Sequence, residues 1–255
     1  MGTGWSQDEA PQVGKKSPPH VTEQVHPMKP IIPGTTEKDS SRVSEAITTP
    51  HVKKLPHNYE AIVKHADSPV DNSSIEKLYD QLEAGVFLDQ NKKKYWVDRK
   101  SNSNCFMLFA RDLSITWGED NRYWSWPCVK ETSDVKVDVA ELLNVCWLEI
   151  QGKFEMVNLS TGIIYEVVFV VLLKDPGYGW DVPVNVRLIL PDGTTQQHKE
   201  NLMEKPRGRW IEIPAGEFRT SSGKNGVIQF SLYECEAGMW KRGLVIKGVA
   251  IRPKA

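Results

Sequence analysis

Residues 163–173 constrain the fold of this chain more than any other segment. The run is dense in Val and Ile, whose branched β-carbons crowd a helix but pack well on a pleated sheet. It is expected to form a central strand. Segments of similar character surround it. Residues 105–110 are an apolar run. Residues 145–154 alternate, with Cys146, Leu148 and Ile150 on one face against Glu149 and Gln151 on the other. Residues 182–190 alternate again, and residues 210–213, 227–233 and 244–251 complete the set. Turn chemistry separates them: in Pro191-Asp192-Gly193, proline presets φ and glycine accepts a positive φ. The polar stretch around His198 is expected to be a loop. With no βαβ alternation, GxGxxG or P-loop, the pattern is that of an all-β sandwich or barrel.

The chain is not uniform. Residues 1–56 are rich in proline and hold a single aromatic residue, Trp5. Such a segment buries too little apolar surface to offset the entropy of ordering it, so a disordered tail is expected. Residues 57–100 are expected to form short helices and a strand that pack on the β domain of residues 101–255. Within them, Ser73-Ser74-Ile75-Glu76 fits a capping box with Ser73 as N-cap. Ile75, Leu78, Tyr79 and Leu82 then share one helical face, and Gly85 ends the helix. Asn91-Lys92-Lys93-Lys94 is a basic turn before the short strand Tyr95-Trp96-Val97.

The two termini carry weaker signals. Met1-Gly2-Thr3-Gly4-Trp5-Ser6 fits the N-myristoylation pattern, with Gly2 as acceptor, although Asp8 and Glu9 follow where basic residues would aid attachment. A single acyl chain anchors only marginally. No apolar run suits a signal peptide or a membrane span, so the expectation is a cytoplasmic protein, with the nucleus as a second compartment and no stable membrane insertion. Cys105, Cys128, Cys146 and Cys235 form no CxxC pair, which argues against zinc; Cys146 and Cys235 sit in apolar runs and are expected to be buried. A formal net charge of -1 argues against a general nucleic-acid binder. Lys241, Arg242, Lys247, Arg252 and Lys254 nevertheless form a local basic cluster, whose bland reading is a solvated last strand.

Catalysis needs a convergent set of groups. His198 is the one histidine of residues 101–255, and neither GxSxG nor HExxH occurs. Glu234 and Glu236 near a strand end form a conceivable carboxylate pair, but a solvated strand terminus explains them equally well. A binding protein without a cofactor is expected, rather than an enzyme. The unusual feature is the crowding of Trp117, Tyr123, Trp124 and Trp126 among polar residues. Exposed rings in that setting suit a sugar, whose C–H face stacks on a ring while its hydroxyls need polar partners. A structural plug of Trp124 and Trp126, with Trp117 flanking a turn, accounts for the same residues as well.

Longer motifs are more specific. Asn104-Cys105-Phe106-Met107-Leu108-Phe109-Ala110-Arg111-Asp112-Leu113-Ser114-Ile115-Thr116-Trp117, followed by Tyr123-Trp124-Ser125-Trp126, resembles the opening of the phloem protein 2 lectin domain, the Nictaba-related family of plant lectins. The resemblance continues through Val145-Cys146-Trp147-Leu148-Glu149-Ile150, Tyr178-Gly179-Trp180, Gly208-Arg209-Trp210 and Trp240-Lys241-Arg242-Gly243-Leu244. Residues 75–98 resemble the segment before this domain in A-type members. Residues 55–63 are only faintly similar to an F-box start, and residues 67–72 break that pattern.

The resemblance implies a jelly-roll-type β-sandwich that binds N-acetylglucosamine oligomers, chitin-like chains, N-glycan cores and the glycoproteins that carry them, in phloem defence or transport. It implies stacking by Trp117 and Trp124, and hydrogen-bond acceptance by Glu234. Trp126 and Trp240 join them by neighbourhood. A second family glutamate corresponds to Val227 here, where the chain departs from the pattern. Weak single sites would gain affinity from oligosaccharides or from a homodimer. An RNA- or protein-binding role in sieve-element transport is the alternative, and a disulfide-linked structural filament is a third reading that the four cysteines support poorly.

Overall fold

In the computed structural model, residues 54–223 and 225–254 are described. The expected tail falls outside them except for residues 54–56, as does the acylation motif at Gly2. The tail's last residues belong to the fold: Pro56 is buried, and the Lys54 carbonyl accepts hydrogen bonds from the Tyr79 hydroxyl and the Asn102 amide.

Two short helices come first, α1 (Tyr59–Val63) and α2 (Ile75–Ala84). The cap of α2 is Ser74, whose hydroxyl accepts the Lys77 N–H, one residue later than the sequence suggests. Leu78, Tyr79 and Leu82 are buried as expected, but Ile75 is 38% exposed in the first turn. Gly85, at φ 99°, ends the helix.

Fifteen strands follow among the described residues. They are β1 (Val86–Leu88), β2 (Lys93–Asp98), β3 (Ser103–Phe109), β4 (Ser114–Ile115), β5 (Trp124–Ser125), β6 (Cys128–Lys130), β7 (Lys136–Asp138), β8 (Ala140–Leu142), β9 (Leu148–Glu155), β10 (Ile164–Tyr178), β11 (Val184–Ile189), β12 (Thr195–Glu200), β13 (Trp210–Arg219), β14 (Val227–Glu234) and β15 (Arg242–Pro253). One sheet runs β1-β2-β3-β15-β10-β13, with β8 pairing β15 and β5 pairing β8. The other runs β12-β11-β14-β9-β4. Every pairing is antiparallel. This is the expected all-β sandwich, and the run at residues 163–173 is its central strand β10, held between β13 and β15.

The core lies between the sheets. Phe169 of β10 meets Phe230 of β14 edge-on at 6.0 Å, and Phe106 of β3 meets Phe154 of β9 at 4.7 Å. A second, smaller core of Met107, Phe109, Val137 and Ala250 sits on the far side of the larger sheet, under the β6–β7 hairpin.

Two expectations change. Residues 57–100 do more than pack on the sandwich, because β2 pairs with β3 from Lys93↔Leu108 to Asp98↔Ser103 and so extends the larger sheet. Buried Asn104 fastens this segment further. Its amide donates to the carbonyls of His57 and Asn158, and its Oδ1 accepts the Tyr95 hydroxyl at 3.0 Å. The stretch around His198 is strand β12 rather than a loop. It is an edge strand without a buried residue, so no apolar alternation marks it in the sequence.

Candidate functional site

Loops from both sheets meet at one end of the sandwich. They are the β4–β5, β8–β9, β10–β11 and β14–β15 connections. Contacts between residues far apart in sequence tie them together. Val145 and Lys241 exchange backbone hydrogen bonds at 3.1 and 2.7 Å. The Tyr178 hydroxyl donates to Asn144 Oδ1 at 3.0 Å. Gly179, at φ 81°, packs so closely on this loop that a Cβ there would lie 2.0 Å from the Trp240 carbonyl oxygen. Trp117, Trp147 and Trp240 on these loops, and Tyr178 at the end of β10, present their rings to solvent, with 45–50% of each residue exposed.

Trp117 sits in a turn closed by the Gly118 N–H donating to the Ile115 carbonyl at 2.9 Å. Its φ is 58°, a left-handed conformation that costs a non-glycine residue about 1–2 kcal/mol. Its ring touches Tyr123, with centroids 5.3 Å apart. A bulky, exposed, strained aromatic is poor design for stability alone, and such outliers cluster at ligand sites.

Trp124 behaves oppositely. It pairs with Leu142 in β5–β8, is 1% exposed, and donates its indole N–H to the Thr116 carbonyl at 3.1 Å. Its ring belongs to the main core, so the expected stacking platform is instead a packing residue beneath the loops. Trp126 is half-buried. Its indole N–H is held by the Gly118 carbonyl at 2.8 Å, and the Arg111 guanidinium covers its ring at 3.7 Å. One of its faces is therefore already occupied.

Glu234 also differs from expectation. In β14, Ile228, Phe230 and Leu232 point inward, and Glu234 continues that parity. Its carboxylate is 3% exposed and pairs with the Lys241 ammonium, itself 0% exposed. Oε1 accepts the backbone N–H groups of Glu236 and Ala237 at 3.0 and 2.8 Å. Lys241 Nζ donates onward to the carbonyls of Cys146 and Met239 at 2.9 and 2.8 Å. Burial alone would raise the Glu234 pKa; Lys241 and the two N–H groups outweigh it and hold the carboxyl below its usual value. Glu234 is thus a brace that fixes the loop carrying Trp240, not an acceptor open to a ligand. Glu236 is exposed, so the two glutamates form no paired carboxylate site.

Two residues not singled out from the sequence take the open positions. Glu149 accepts the Trp147 indole N–H at 3.3 Å, the Thr116 hydroxyl at 3.0 Å and the Gln151 amide at 2.6 Å. These bonds outweigh its partial burial and hold its pKa below the usual value. Trp147 stands beside it. A signal for it exists: Trp147 shares its parity with Glu149 and Gln151, so it had to leave the core face of its strand.

Comparison with known proteins places the chain in a family. The family model described as Phloem protein 2 matches residues 103–253. The chain belongs to the phloem protein 2 family. It is 50% identical over 229 residues to protein phloem protein 2-like A1 of Arabidopsis thaliana, covering 89% of this chain and 92% of that one. It is 48% identical over 203 residues to a protein named lectin from Luffa acutangula, covering 79% and 96% of the two chains. An F-box protein of Arabidopsis thaliana is 34% identical over 220 residues, covering 79% of this chain and 67% of its own. Among solved structures, the CBM22-1 xylan-binding domain of Paenibacillus barcinonensis matches at 10% identity over 58% of this chain and 89% of its own, with a TM-score of 0.30.

In this phloem protein 2 chain, Val227 and Glu234 open and close β14, roughly 24 Å apart along the strand. Val227 therefore lies far from the aromatic rim. It borders a cleft of about 910 Å³ whose walls include Ile62, Phe106, Asp112, Lys153 and Phe154. The basic cluster of the last strand is largely neutralised: Lys241 by Glu234, Lys247 by Glu131, Arg252 by Glu166 and Glu212, and Lys254 by Glu217. Cysteine burial also departs from expectation. Cys105 is buried, Cys146 and Cys235 are half-buried, and Cys128 is exposed. No described helix is long and apolar enough to cross a membrane.

Proposed function

We propose that this chain is a phloem lectin that binds neutral oligosaccharides on the rim formed by Trp117, Trp147, Tyr178 and Trp240. The observation that carries this reading is the exposure of those rings at one end of the sandwich, with Trp117 kept there against backbone strain. An aromatic face takes the C–H surface of a pyranose, and the acceptor oxygens of Glu149 and Asn144, beside Trp147 and Tyr178, would meet its hydroxyls. The names of its relatives, a lectin among them, support the same class of ligand. N-acetylglucosamine oligomers and N-glycan cores are the proposed ligands, in the cytoplasm of phloem cells. The pairing of most cations on the last strand with carboxylates favours a neutral ligand over the phosphate track that an RNA-transport role would need.

Calorimetric titration with chitotriose tests the reading. Wild-type protein should release heat, and Trp117→Gly should lose most of it. Equal heat from both removes Trp117 from the site; no heat from the wild type, with any glycan on an array, ends the lectin reading.

A further inference from the structure

The two outer faces of the sandwich treat their polar side chains differently. On the larger sheet, Arg252 lies 2.7 Å from Glu166 and 2.6 Å from Glu212. Lys247 meets Glu131 at 2.6 Å and Lys174 meets Glu141 at 2.5 Å. These groups spend their hydrogen-bonding capacity on each other, and the β6–β7 hairpin covers part of the surface.

On the five-stranded sheet the pairing is partial: Gln151 donates to Glu149 and Arg187 to the buried Ser231 hydroxyl, while other polar side chains face solvent. The strand register places Glu149, Tyr233, Asn185 and Lys199 in one row across β9, β14, β11 and β12. Gln151, Ser231, Arg187 and Gln197 form the next row. Lys153 and Gln229 begin a third. The side chains of Asn185, Gln197, Gln229, Lys153 and Lys199 make no hydrogen bond or ion pair among the described residues. Tyr233 adds a half-exposed ring, steadied by the Arg187 guanidinium at 5.1 Å.

The chemistry of this face selects its ligand. Side-chain amides and hydroxyls both donate and accept, as sugar hydroxyls do. Phosphate would demand a denser set of cations. The face is also continuous with the rim, because Glu149 heads the first row and accepts from Trp147 and Thr116. Adjacent strands lie about 4.8 Å apart, so a row of four spans about 14 Å, more than one pyranose ring. Successive rings of a chain would meet successive strands.

We propose that this outer face is an extended subsite, holding further units of a neutral oligosaccharide whose first unit sits on the Trp117–Trp147 rim. The inference rests on the lectin reading above. Titration of the full chain with chitobiose and chitohexaose tests it. Wild-type affinity should rise about tenfold with length, which corresponds to about 1.4 kcal/mol. The combined variant Asn185→Ala, Gln197→Ala, Gln229→Ala should bind chitobiose as the wild type does and lose most of the gain with length. If that variant does not show the wild-type unfolding transition, Lys153→Ala with Lys199→Ala carries the same expectation. A full length gain in the variants overturns the subsite, as does a wild type that binds chitobiose without any gain. If the wild type binds neither sugar, the lectin reading itself falls and the subsite with it.

Discussion

Trp117 and Trp124 lie in one aromatic run and end in opposite surroundings. Trp117 is on a turn, 46% exposed, with a left-handed backbone. Trp124 is on β5, 1% exposed, and locked to the Thr116 carbonyl. The same division separates Trp240, exposed on a loop, from Glu234, buried at the end of β14. At this end of the sandwich, a side chain on a paired strand with inward parity serves the core. The exposed tryptophans Trp117, Trp147 and Trp240 lie instead on the connecting loops, open to a ligand, while loop residues such as Val145 and Lys241 turn inward. Residue type does not decide between the roles; backbone position does.

The largest effect that could break this comparison belongs to Trp124. Trp124→Ala should lower stability by about 3–5 kcal/mol, the usual range for deleting a buried aromatic, as read by urea unfolding. A loss below about 1 kcal/mol would mean that the ring is not in the core. Lys241→Ala should cost about as much, roughly 3–5 kcal/mol, because it leaves the Glu234 carboxylate buried and unpaired. Replacing both partners with apolar residues should recover much of that loss while releasing the Trp240 loop, seen as faster amide exchange around Ala237.

A pH series sharpens the same point. The Glu234 carboxyl has a lowered pKa in the folded chain, so its contribution is present above its unfolded value near 4.3 and is lost as pH falls through the folded value. The stability gap between wild type and Glu234→Gln should therefore be constant near neutral pH and close below about pH 4. A gap that does not narrow as the pH falls into the acid range would deny the ion pair this role.

Smaller effects test the loop side. Trp117→Gly relieves a left-handed residue while losing the ring contact with Tyr123, so stability should change by less than about 1 kcal/mol even as sugar binding falls. A large loss of stability would place Trp117 with Trp124. Arg111→Ala should have an effect of similar size, about 0.5–1 kcal/mol, by uncovering the Trp126 ring and losing the ion pair with Asp138.

Much of the fold is legible in the chain. Alternation marks β9, β11 and β14, and branched residues mark β10, because burying one face of a strand or both leaves a direct trace in composition. What leaves no trace is harder to see. β12 has no buried residue, and β4, β5 and β8 are too short to show a period. The site divides in the same way. Trp147 and Glu234 were both readable from strand parity, one outward and one inward. Trp117 was named by the resemblance, but its left-handed backbone was not legible, since that conformation normally falls to glycine.

By itself the sequence determined the strands, the face each one buries and the resemblance to phloem protein 2 proteins, because these depend on short-range order along the chain. Only the tertiary structure decided which aromatics stay in solvent and that Lys241 meets Glu234 beneath the rim. Those outcomes depend on loops distant in sequence coming together, as Val145 does with Lys241 and Asn144 with Tyr178, and no local pattern encodes such a meeting.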